Sequence, residues 1–80
     1  AGATPAVVEL RRRVAEIEKA EIAKAARRLG WGPDRVKEAE GLVASVTAKI
    51  LHGPTVALKE AAGTGEGTEI ERLLRKLFGL

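Results

Sequence analysis

The sequence predicts an all-α fold, an antiparallel helical bundle with one long N-terminal helix. Apolar residues recur at three- and four-residue spacings, and the two-residue alternation of strands is absent. Glycine and proline cluster at Gly30-Trp31-Gly32-Pro33, at Gly53-Pro54 and over 63–67, cutting the chain into helix-sized pieces. The third observation is a shortage: of the 45% hydrophobic residues in 80, 14 are alanine and only 22 are Val, Ile, Leu, Phe or Trp. A chain of this size buries only a little over ~60% of its unfolded surface. The bundle is therefore expected to be completed by dimerisation, most simply with a second copy of itself.

The first helix is expected over about 5–29, with Thr4 as N-cap, Pro5 in the first turn, and Gly30 beyond its end. At ~1.5 Å per residue it is nearly 40 Å long. Val7, Leu10, Val14 and Ile17 step by 3, 4 and 3, after which the stripe slips by one residue to Ile22, Ala25 and Leu29. The connection at Gly30–Pro33 places Trp31 over one end of the bundle. A second helix is expected over 34–52, ending before Gly53 and Pro54, with Val36, Ala39, Val43, Val46 and Ile50 as a strict seam. It spans only ~28 Å, so later helices or another chain must cover the rest of the first stripe. A brief alanine-rich helix over 55–62 and a glycine-containing loop follow. The fourth helix, 69–78, opens with Thr68 and Glu71 spaced as a capping box and carries Ile70, Leu73, Leu74, Leu77 and Phe78 on one face. The whole of 1–80 reads as a single helical domain.

Composition excludes most chemistry. Without cysteine there is no thiolate nucleophile, disulfide or cysteine zinc site, and the lone His52 cannot build a histidine metal cluster. No catalytic, cofactor-binding or metal residue is assigned. His52 is expected in the last turn of the second helix, where exposed carbonyls favour a cation. Glu21 projects beside the Leu10, Val14, Ile17 stripe. A catalytic carboxylate would need a second titrating group and a pocket, so a structural pairing is expected, with His52 or with a lysine across an interface. Gly63-Thr64-Gly65-Glu66-Gly67 lacks the preceding strand and following Gly-Lys-Ser/Thr of a phosphate loop. No apolar run reaches the ~18–20 residues of a membrane span. The chain is expected to be soluble, make no membrane contact and sit in the cytoplasm.

The net charge of +3 is localised: residues 1–30 hold seven Lys or Arg against four Glu, and the remaining segments balance. One reading is a small basic helical RNA- or DNA-binding module acting through Arg11, Arg12, Arg13, Arg27 and Arg28. Three consecutive arginines, however, fan over roughly 200° of a helix, and Glu9 with Arg13 and Arg12 with Glu16 are spaced for i,i+4 pairing. A solvated or oligomer-rim surface is the expected role.

Val8-Glu9-Leu10-Arg11-Arg12-Arg13 running into Ile17–Ile22, together with Thr47-Ala48-Lys49-Ile50-Leu51-His52-Gly53-Pro54-Thr55, Leu58-Lys59 and the ending Leu77-Phe78-Gly79-Leu80, resembles the C-terminal dimerisation domain of glutamyl-tRNA reductase. The resemblance covers essentially the whole chain. Ile22 and Ala48 depart from it, standing where the family usually has leucine and often asparagine. It implies a parent enzyme that binds glutamyl-tRNA and reduces it with NADPH to glutamate-1-semialdehyde, opening tetrapyrrole biosynthesis. The implied catalytic cysteine and NADPH-binding domain lie upstream, so this segment performs no catalysis. Its implied partner is a second copy of itself. Val7, Leu10, Val14, Ile17, Ile22, Val43, Val46, Ile50, Leu73, Leu77 and Phe78 are the expected core or dimer-interface positions.

Overall fold

A computed structural model describes residues 5–80, which form three α-helices: α1 (Pro5–Leu29), α2 (Pro33–Glu60) and α3 (Gly65–Phe78). There is no strand among the described residues. α1 has the bounds the sequence predicts; the expected Thr4 cap lies outside the described residues. At its other end Gly30 takes φ +69°, a left-handed conformation that glycine adopts without a Cβ penalty. The Trp31 amide then donates back to the Ala26 carbonyl at 3.0 Å, which closes the helix as a Schellman turn.

The largest departure from expectation is at Gly53-Pro54. Helices over 34–52 and 55–62 were expected, but α2 runs through Pro54 as one helix of 28 residues, about 42 Å at ~1.5 Å per residue. It is longer than the 25-residue α1, so the first helix is not the overlong one. Pro54 lacks the amide hydrogen that would reach the Ile50 carbonyl. The next residue, Thr55, helps hold the helix together: its Oγ1 donates to the Leu51 carbonyl at 2.6 Å and accepts from Arg11 Nη2 at 2.8 Å. A proline need not end a helix whose neighbouring polar groups are satisfied across the bundle.

α3 also starts earlier than expected. Thr64, not Thr68, is the N-cap, its Oγ1 accepting from Gly67 N–H at 3.1 Å. The expected Thr68–Glu71 capping box does not form, because the Thr68 amide is already committed to the Thr64 carbonyl at 3.2 Å. Glu71 serves another helix instead: its Oε1 accepts from the Ala6 amide at 3.1 Å, placing a carboxylate at the N-terminus of α1, where free N–H groups and the helix dipole favour it. One turn later Arg75 Nη1 donates to Glu9 Oε2 at 2.9 Å, in place of the expected Glu9–Arg13 pair. α3 is thus tied to the start of α1 by two polar contacts.

The core lies at that end. Ala6, Val7 and Leu10 of α1, Leu51 and Leu58 of α2 and Leu74 of α3 are buried together, with Val14, Ile70 and Leu80 packed against them. Beyond Val14 only α1 and α2 continue, and the one buried large side chain there is Ile22. The protein is accordingly elongated, 50 × 20 × 17 Å with a radius of gyration of 15.4 Å, against the ~12 Å of a compact chain of this length.

Candidate self-association surface

The two-helix half leaves a long apolar surface uncovered. Along α1 the residues turned towards α2 are Leu10, Val14, Glu18, Ile22 and Ala25; along α2 they are Val36, Ala39, Val43, Thr47, Leu51 and Leu58. Midway, the Thr47 hydroxyl donates to the Glu18 carboxylate. Both facing rows therefore pass through a polar residue. Ile17 lies one step round α1 from Glu18, and Val46 and Ile50 lie one step round α2 from Thr47 and Leu51. Ile17, Val46 and Ile50 are 55%, 49% and 67% exposed, as is Leu42 at 68%.

Ile17, Leu42 and Val46, with Ile22, Val43 and half-buried Trp31, line a groove of about 530 Å³ between α1 and α2. Its lining is almost wholly apolar, with Glu18, Glu21 and Thr47 supplying the polar groups. Of the expected core or interface positions, then, Val7, Leu10 and Ile22 are buried, and Val14 and Val43 partly so. Ile17, Val46 and Ile50 stand on the bare face. Leu73, Leu77 and Phe78 do not close this bundle either: Ile70, Leu74 and Leu80 pack inward, and those three are exposed on the far side of α3.

The expected polar residues are placed differently. Glu21 is exposed and pairs with Lys24 of its own helix at 3.5 Å, since an i,i+3 partner is nearer than any cation on α2. His52 is exposed and sits in the interior of α2, where no free carbonyls gather, because the helix does not end at Gly53. Two of the three consecutive arginines are engaged within the chain, Arg11 with Thr55 and Arg12 with Glu16 at 2.5 Å. On α3 the Arg72 guanidinium hydrogen-bonds Glu69 and holds its carboxyl below the usual value. No grouping of acidic or histidine side chains among the described residues could hold a metal ion.

By length and composition, α2 could cross a membrane. The uninterrupted apolar runs of the sequence did not reveal this, because a helix that continues through Pro54 is longer than they are. Most of that apolar stretch is uncovered in the single chain.

The family model for the glutamyl-tRNA(Glu) reductase dimerisation domain matches residues 1–80. The glutamyl-tRNA reductase of Chloroflexus aurantiacus is 40% identical over 79 residues, 98% of this chain and 18% of that protein. Those of Trichlorobacter lovleyi and Pelobacter propionicus are 41% and 39% identical, each over 96% of this chain and 18% of their own length. This chain thus spans less than a fifth of the curated relatives it matches. No solved structure matches it. An uncovered apolar flank on a helical chain is what a self-association module requires, and this chain belongs to the glutamyl-tRNA reductase dimerisation-domain family.

Proposed function

We propose that the bare α1–α2 face, with Ile17, Leu42, Val46 and Ile50 at its centre, is the surface through which two copies of this chain join. The observation that carries the reading is the convergence of these side chains on one side of the hairpin, each about half or more exposed. Covering such a surface is the main favourable term in association, and a two-fold arrangement would let the same face serve both copies. Leu73, Leu77 and Phe78, exposed on α3, are proposed as a second part of the contact. Glu21 and Lys24 lie beside the groove and are proposed as its polar rim.

The larger function follows from the family. As part of a glutamyl-tRNA reductase, the chain would hold together an enzyme that takes glutamyl-tRNA to glutamate-1-semialdehyde with NADPH in the cytoplasm. Nucleotide binding and catalysis would belong to other parts of that enzyme. Sedimentation velocity of the 80-residue chain tests the surface: a dimer weakened by Leu42→Glu is expected. A strict monomer at high micromolar concentration, or a dimer indifferent to that substitution, would remove this face from the interface.

A further inference from the structure

The core lies at one end of the bundle. The buried cluster involves only residues 6–10, 51–58 and 74. Pro54, within that level, leaves the Ile50 carbonyl without its usual donor, although α2 continues through it. Beyond it, α1 and α2 pack on each other through Ile22 and the Glu18–Thr47 hydrogen bond.

A weakness of α2 lies in this half. Gly41 is in the interior of α2, a position where glycine weakens a helix. Nothing lies within 4 Å of where its Cβ would be, so no close packing within the chain calls for a glycine there. The alanine-rich far half of α1 favours helix, so its helicity is better supported than its docking on α2.

We infer that the chain is built in two parts of unequal stability: a self-sufficient three-helix end, and a hairpin half, residues 15–50, whose two helices lock together only when a second copy covers them. The inference rests on the interface reading above. Self-association then acts as an ordering step. The preformed end supplies a fixed platform, and the hairpin half gains its persistent structure from the contact, as local stability tracks local burial.

Amide hydrogen exchange by NMR tests this on the 80-residue chain across a dilution series, with sedimentation velocity on the same samples. Leu42→Glu serves as a second, monomeric reference. In the monomer, protection at residues 20–27 and 40–48 should fall at least about tenfold below that at 55–59 and 73–75, within the range that local openings span. It should rise by a similar factor as the dimer forms, while the three-helix end changes little. Equal protection of both halves in the monomer would overturn the inference and leave the interface reading intact. A chain that stays monomeric at every concentration overturns the interface reading, and the ordering step with it. Gly41→Ala should raise hairpin protection in the monomer severalfold; no change there would also count against the inference.

Discussion

Leu42 offers the sharpest separation between packing within the chain and packing between chains. It is 68% exposed in the single chain. Complete burial of a leucine side chain contributes ~1.5–3 kcal/mol, so the two-thirds left for a partner is roughly 1–2 kcal/mol per copy. In an isologous contact each substitution acts twice, giving about 2–4 kcal/mol per dimer. At ~1.4 kcal/mol per tenfold, Leu42→Ala should weaken dimerisation by roughly 30- to 700-fold. The monomer should barely respond, because exposed positions usually change stability by no more than ~0.5 kcal/mol. Concentration-dependent sedimentation supplies the dissociation constant, and urea unfolding at a concentration where both proteins are monomeric supplies the control. A dissociation constant within threefold of the parent's refutes the interface assignment. A monomer destabilised by more than ~1 kcal/mol would show that Leu42 supports the chain's own fold.

Gly67 is buried, and a Cβ there would sit 2.2 Å from the Ala61 carbonyl oxygen. Because that neighbour is backbone, Gly67→Ala should displace the α2–α3 turn and destabilise by about 2 kcal/mol or more in urea titration; a neutral result would contradict the close approach. Glu71→Ala should cost about 1–3 kcal/mol by stranding the buried Ala6 N–H, with Glu71→Gln recovering much of it and exchange at Ala6 as the local readout. The Glu69 carboxyl titrates below its ordinary value because Arg72 hydrogen-bonds it. Its small stabilising effect is therefore complete above the ordinary glutamate range and lost as pH falls through the lowered value. Arg72→Ala should return the NMR midpoint of Glu69 upward, and an unmoved midpoint would dissolve the pairing. Finally, a double-mutant cycle of Glu18→Ala and Thr47→Ala should show coupling of about 1 kcal/mol or more, as a partly buried hydrogen bond to a charged group warrants. Strict additivity would mean that the bond contributes nothing to docking α1 on α2.

The helical class and the bounds of α1 were legible because apolar spacing, Pro5 and Gly30 all agree. Helix ends that depend on tertiary partners were not. Pro54 reads locally as a stop, yet Thr55 is anchored by an arginine forty-four residues away. Glu71 matches a capping box in spacing, yet it caps α1, sixty-five residues distant. The facing rows depart from the apolar seams for a related reason. A reader following hydrophobic residues passes from Val14 to Ile17 and from Val43 to Val46, whereas the facing rows pass through Glu18 and Thr47. Only their mutual hydrogen bond makes two polar residues acceptable at that point, and no single-helix pattern contains that information.

That pair also accounts for where the uncovered residues point. With Glu18 and Thr47 meeting at this level, Ile17 and Val46, one residue earlier on each helix, fall beside the contact instead of in it. On antiparallel helices, a step back of one residue round each axis points to the same side of the hairpin. Ile17 of α1 and Leu42 and Val46 of α2 lie there and line the groove. Had Ile17 faced Val46, the hairpin would have a fuller core and little reason to associate. A polar contact inside the chain thus holds its apolar residues outside it, where only another molecule can cover them.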